Sequence, residues 1–380
     1  MRAYVEDRGK THRGARWRAR HEGPDGRLRS RSFNRKVDAD RFIAEHVART
    51  NRGDWVDPDF GQRRLEDWLR EWDAARLHLR DSSRVRDRHL IKVIVRHLGD
   101  LPLAAVTAAD LRRMVSALSM EGRAPATIRK TYQIAAAALQ AASRDRLILR
   151  NPAEGIDLPR DRHREMTILE PPQVADLMTE IGPCYRGMVA LGAYGGLRIG
   201  EVGGLFAADI NFLRATVTVQ RTLTDVGGRV GLGATKTGAS RRTIHVPRFV
   251  IDEIGVLLAS KPVGPAGLVF TAPRGGPIRL STWRRRVWQP AAQRAGLVGV
   301  KFHDLRHTHV AWLIADGAHP KAIQVRVGHA SITTTLNTYG HLMKGMDEQL
   351  VEGLESRAAK AAAPSPRPET KVVEAWAALG

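Results

Sequence analysis

From Leu65 to about Ser143 every strong periodic signal in this chain is helical, while the segments on either side carry strand signals. That layout predicts a mostly α chain with small β elements, of the α+β class. "LEDWLREWDAARL" places Leu65, Trp68, Leu69 and Trp72 on one stripe, and "RHLIKVIVRHLG" predicts a second helix ending at Gly99. "TAADLRRMVSAL" opens with a Thr-x-x-Asp arrangement like a capping box, with Asp for the usual Glu. "APATIRKTYQIAAAALQAAS" predicts a fourth helix with Arg129 and Lys130 near its start. A compact helical domain over about residues 62–155 follows, ending at "RNPAEG".

Residues 1–58 read as a separate small module. "RWRARH" and "RLRSRSF" alternate around the turn signal "EGPDG", which predicts a β-hairpin. The following "KVDADRFIAEHVART" carries Val37, Phe42, Ile43 and Val47 on one helical face. Arginines 16, 18, 20, 27, 29 and 31 stud the hairpin. At alternate strand positions they would form one cationic face able to lie on phosphates, with a charge-protected sheet edge as the rival reading. "DWVDPDFGQRR" reads as a linker.

Residues 165–350 mix helices ("PPQVADLMTEI", "YRGMVALGAY") with strands; "ATVTVQRT" alternates as one strand and "RRTIHVP" is its expected partner. Residues 355–380 form an expected flexible tail, in which "VVEAWAALG" is a candidate docking helix.

Charge narrows the partner. Lys plus Arg number 61 against 40 Asp plus Glu, a net +21 and a pI of about 11.0. Such an excess argues for a polyanion, with nucleic acid ahead of a membrane surface. The single cysteine, Cys184, excludes an internal disulfide framework and fits a reducing cytoplasm. The start "MRAYVEDRGK" lacks the apolar run of a signal peptide, and no uninterrupted apolar stretch suits a bilayer span, so no membrane role is expected.

Two catalytic patterns fail. "GGRVGLGATKTG" lacks the glycine that a P-loop needs before Lys236. "HDLRH" sets His303 and His307 four apart, as in zinc-protease helices, but Asp304 stands where that motif needs Glu and Arg306 adds a cation beside the supposed metal. Hydrogen-bonded histidines at a polar helix start are the plainer reading.

A third pattern fits better. A tyrosine hydroxyl attacking a phosphodiester needs charge stabilised on the non-bridging oxygens, a proton removed from the phenol and a proton supplied to the leaving oxygen. Two arginines can do the first task without metal. Arg198 sits in "YGGLRIGEVGGL", where glycines suggest a tight turn into a helix whose amides would favour an anion. Arg306 follows His303 by three positions, Lys236 stands in "GATKTGASRR" on an expected hairpin, and His329 in "VGHAS" precedes Tyr339 in "TTTLNTYGHL". Each element alone says little; the ordered set Arg, Lys, His-x-x-Arg, His, Tyr is specific.

That set resembles the tyrosine recombinase family, also called phage integrases, over roughly residues 165–350. The helical region resembles the family's core-binding (SAM-like) domain, and the N-terminal hairpin-plus-helix resembles its arm-type DNA-binding domains. The resemblance implies a site-specific DNA recombinase that uses neither metal nor cofactor. Tyr339 would be the nucleophile forming a 3′-phosphotyrosyl link. Arg198 and Arg306 would clamp the phosphate, and Lys236 would be the general acid. His303 would assist proton transfer as a base towards the tyrosine. His329 would bond the phosphate, Glu201 would orient Arg198, and His341 would give local support. Arg16, Arg18, Arg129 and Lys130 are further DNA-contact candidates. Implied partners are double-stranded DNA at core and arm sites, sister subunits in a homotetramer, and an excisionase or DNA-bending accessory protein, within a bacterial cytoplasm. Dimer resolution, type IB topoisomerase-like relaxation and a non-catalytic DNA-binding role are the alternatives.

Overall fold

The computed structural model describes residues 2–9, 15–23, 26–52, 61–160, 166–234, 241–261, 263 and 267–343, with positions 351, 354–355 and 357–358. The chain divides into two compact units, Met1–Arg164 and Glu165–Gly380. The "DWVDPDFGQRR" linker lies largely, and the "VVEAWAALG" tail wholly, outside the described residues.

The first unit opens with an antiparallel sheet of order β1-β2-β3, made of Ala3–Asp7, Trp17–Glu22 and Leu28–Phe33. β2 and β3 are the expected hairpin; β1 escaped notice because "AYVED" is too short and acidic to read as a strand alone. The register corrects the idea of a single cationic face. Arg18 pairs with Ser32 and Arg20 with Ser30, whereas Arg31 pairs with Ala19 and Arg29 with His21. Cross-strand partners share a face, so Arg18 and Arg20 lie on one side and Arg29 and Arg31 on the other. The Ala19 side packs on the helix Lys36–Asn51: the His21 ring meets Phe42 at 5.4 Å and His46 at 3.9 Å. Arg31 joins that layer by stacking over Phe42 at 5.6 Å. Arg16 and Arg20 carry internal partners, Asp7 at 2.6 Å and Glu6 at 2.8 Å. Val37, expected on the apolar helical face, is instead 66% exposed.

The same unit holds the helices Leu65–Ala75, Asp81–Leu98, Ala108–Met120 and Pro125–Arg144. Leu65, Trp68 and Leu69 are buried as their spacing predicts, while Trp72 is half-buried at the core's edge. Ala135, Ala138 and Ala142 keep the last helix slim, so that Trp68 reaches it and its indole N–H donates to the Ala138 carbonyl at 2.9 Å. The Thr107–Asp110 capping box forms in both directions, at 3.3 and 2.9 Å. Buried Asp73 and Asp87 share Arg76, which bonds both carboxylates, and Arg88 on Asp73 and Arg86 on Asp87 complete the charge balance.

In the second unit the helix Pro183–Gly195 is apolar almost all round and sits inside the core, with Met188, Val189, Leu191 and Ala193 fully buried. Helices Pro171–Glu180, Arg248–Ser260 and Phe302–Ala315 pack around it. Gly192 makes the last contact possible: a β-carbon there would lie 2.8 Å from Leu305 Cδ1. Leu280–Trp283 continues through a π-helical turn, Arg284–Trp288, into Gln289–Arg294.

The expected single strand "ATVTVQRT" is two. β5 (Thr216–Val219) pairs with β8 (Arg242–His245) and with β4 (Ile210–Asn211). After Gln220 the chain leaves that sheet, and β6 (Arg221–Val226) pairs with β7 (Arg229–Ala234). The break is pinned by buried Asp209, which accepts from Gln220 at 3.2 Å and from Arg221 at 2.5 Å. Alternation of side chains cannot reveal such a switch.

Leu69 is fully buried in the helical core. Leu69→Ala is expected to destabilise the first unit by about 2–5 kcal/mol, seen as a lower urea midpoint with an unchanged slope.

Candidate active site

Arg198 follows the turn made by Gly196, whose φ of +66° is left-handed, and caps the short helix Ile199–Gly203. A β-carbon on Gly196 would fall 2.6 Å from the His309 ring, so both backbone angle and space require glycine. One of the expected anion-binding amides, that of Arg198, is already engaged. Glu201 folds back and accepts from the Arg198 amide at 2.9 Å and from its guanidinium at 2.8 Å. Glu201 also accepts two bonds from Arg242, at 3.0 and 3.2 Å. Burial alone would raise the Glu201 pKa; hydrogen bonding and charge from Arg242, then Arg198, override it and hold the carboxyl below its ordinary range.

Arg306, on the helix Phe302–Ala315, is 1% exposed. Its guanidinium donates to the carbonyls of Gly196 at 2.6 Å and Val327 at 2.7 Å. Burial, then the charge of Arg198, lowers its pKa to about 9, which leaves it protonated at neutral pH. Behind it, His309 bonds the Ala193 carbonyl at 2.9 Å and accepts from Arg326 Nε at 2.9 Å. Arg326 also donates to His245 O at 3.0 Å, tying the helix Pro320–Val327 to β8.

Tyr339 ends the helix Ile332–Tyr339 and is 2% exposed. Its hydroxyl lies 2.7 Å from His307 Nδ1. Burial pushes the phenol up to about 12, while Arg306 and Arg198 pull the other way, so both guanidiniums act on this oxygen. His303 projects an exposed edge from crowded surroundings. That crowding, then His307, Arg306 and Arg198, brings its pKa down to about 4. His329 bonds Thr335 Oγ1 at 2.9 Å and is also brought down to about 4, by burial first and then by Arg306 and Arg198.

The structure therefore gathers Arg198, Glu201, His303, Arg306, His329 and Tyr339 into one electrostatic neighbourhood. Lys236 and the His341 side chain lie outside the described residues. Arg129 is half-buried in the first unit, where it donates to the Pro159 carbonyl at 2.9 Å, and Lys130 beside it is also half-buried. Three participants were not anticipated from sequence: Arg242, Arg326 and the His307–Tyr339 contact. Arg242 belongs to the quoted "TKTGASRR", and its neighbour Arg241 gives no local cue to which of the two turns inward. Among the described residues no group of three or more His, Cys, Asp or Glu side chains is placed to hold a metal ion. Two guanidiniums, a phenol and neutral imidazoles together suit attack on a phosphodiester.

Residues 167–346 match the phage integrase family. The integrase of Mycobacterium phage D29 is 26% identical over 337 residues, spanning 85% of this chain and 89% of that one. The tyrosine recombinase XerC of Bacillus licheniformis is 23% identical over 256 residues, 63% of this chain and 78% of that one. Among solved structures, the Tn1549 transposon integrase in complex with a circular intermediate DNA has a TM-score of 0.69 at 21% identity, covering 77% of this chain and 99% of that one. Residues 167–346 thus belong to the phage integrase family, and the chain has the mostly α, α+β fold of the integrase structure it resembles. Among the described residues no helix is long and apolar enough to cross a membrane.

Two outcomes are expected. Glu201→Gln removes the buried carboxylate that Arg242 and Arg198 share and should cost about 3–5 kcal/mol, measured by chemical denaturation at neutral pH. The pKa values of His303, His307, His309 and His329 all lie below the ordinary 6.5, so the unfolded chain binds more protons than the folded one as pH falls. Unfolding free energy should therefore drop as pH falls from 6.5 to about 4.

Proposed function

We propose that this protein is a site-specific DNA recombinase of the integrase type, cutting and rejoining DNA through a 3′-phosphotyrosyl intermediate during integration and excision of a phage or mobile element. The observation that carries the reading is that the charges of Arg306 and Arg198 both favour ionisation of the buried Tyr339 phenol. In this scheme the two guanidiniums hold the scissile phosphate, and their contacts strengthen as charge develops on its oxygens. Tyr339 displaces the 5′-oxygen, Lys236 protonates it, His303 assists proton transfer, and His329 bonds the phosphate. Glu201 keeps Arg198 aimed. The phosphotyrosyl bond stores the energy of the broken link, so the exchange runs without a nucleotide cofactor.

DNA is the substrate. Three functional parts are proposed along the chain: residues 1–58 on arm sites, 62–155 and 165–350 on the core site, with 355–380 as a tail that docks on a neighbouring subunit. Arg16, Arg18, Arg129 and Lys130 are candidate phosphate contacts. A homotetramer on two duplexes, an excisionase or DNA-bending partner, and action in the bacterial cytoplasm belong to the same proposal. The wider span of the phage D29 match, 85% of this chain against 63% for XerC, favours integration over dimer resolution.

The test uses a nicked suicide duplex taken from DNA beside the gene. Wild type should trap a covalent adduct, and Tyr339→Phe should bind but trap none. Arg198→Ala, at a half-exposed position, should slow cleavage by roughly 10²–10³-fold with a far smaller change in binding. An adduct persisting in Tyr339→Phe removes Tyr339 from its role, and absence of any wild-type adduct removes the reading.

A further inference from the structure

We infer, resting on the recombinase reading above, that His307 is the general base of this site, taking the Tyr339 phenolic proton on Nδ1 as the tyrosyl oxygen attacks phosphorus. The hydroxyl lies 2.7 Å from that nitrogen, and it has no other hydrogen-bond partner among the described residues. The two rings are tilted by 54° with centroids 5.6 Å apart. His303, the base expected by resemblance, makes no hydrogen bond to the phenol; its ring stands edge-on to His307 at 4.7 Å.

The surroundings fit the task. Burial lowers the affinity of His307 for a proton, Asp304 opposes that effect, and Arg306 adds to it. The imidazole therefore rests neutral, with one ring nitrogen able to accept. When Nε2 carries the proton, Nδ1 accepts the phenolic O–H. Asp304, three residues back on the same helix, supplies the negative charge that favours the imidazolium once formed, while its own Oδ2 accepts from the Lys301 amide at 2.7 Å.

The step balances. The Oη–H bond breaks and its proton moves to Nδ1; the Oη–P bond forms as the bond from phosphorus to the 5′-oxygen breaks; the 5′-oxygen takes its proton from the general acid. In rejoining, the incoming 5′-hydroxyl reverses these transfers and His307 returns the proton to the departing phenolate.

Single-turnover cleavage of the same suicide duplex from pH 6 to 9 tests this, with filter binding alongside. Both His307→Ala and His307→Gln should bind DNA normally and cleave roughly 10²-fold more slowly at neutral pH, with rates still climbing at high pH where wild type has levelled. Fluorotyrosine at position 339, a more acidic phenol, should recover rate in His307→Ala more than in wild type. A 5′-bridging phosphorothiolate, which needs no general acid, should not rescue either variant. If His307→Gln cleaves like wild type, the contact only positions the phenol and the inference is overturned. It is overturned equally if both variants lose rate in parallel with binding, or keep the wild-type pH profile. Absence of a wild-type adduct defeats the recombinase reading instead.

Discussion

The Arg306 guanidinium holds the second unit's site together. A buried cation is costly unless its donors are met, and here two main-chain carbonyls from distant segments, Gly196 and Val327, meet them. That requirement fixes the turn before Arg198, the helix carrying His303 and His307, and the end of the helix preceding His329. One side chain sets the spacing of three segments near the Tyr339 hydroxyl. Gly192 and Gly196 are the steric counterpart, letting the helix Phe302–Ala315 and the His309 ring approach the main chain.

Among the described residues the cations of this region are met in two different ways. Arg198 and Arg242 share the carboxylate of Glu201, while Arg306 and Arg326 are satisfied by carbonyls and an imidazole. Carbonyl dipoles satisfy hydrogen bonding without cancelling the charge, so the positive field survives. The surrounding imidazoles stay neutral because that field and burial both oppose their protonation. A phosphodiester entering this place meets fixed cations that need no reorganisation.

Much of this was legible in the chain. Helical stripes, the Thr107 capping box and the hairpin around "EGPDG" follow from local rules, and the ordered motif set names Arg198, His303, Arg306, His329 and Tyr339, which the fold brings into one neighbourhood. What resisted was non-local. Which face of β3 carries Arg29 and Arg31 depends on register against β2, and that is fixed by packing of Ala19 and His21 on the following helix. The switch at Gln220 depends on an aspartate eleven residues earlier. His307 was conspicuous through its spacing from His303, but only the fold reveals that its partner is a phenol thirty-two residues away.

Pairing within the small N-terminal sheet has a thermodynamic corollary. Asp7 and Glu6 already serve Arg16 and Arg20 as built-in counterions. An arginine that keeps its tethered carboxylate neutralises less phosphate charge, so each such contact releases fewer of the cations condensed on a polyanion. The module's dependence on ionic strength is then shallower than a count of its arginines implies. Neutralising Asp7 and Glu6 would steepen it without adding a single positive charge.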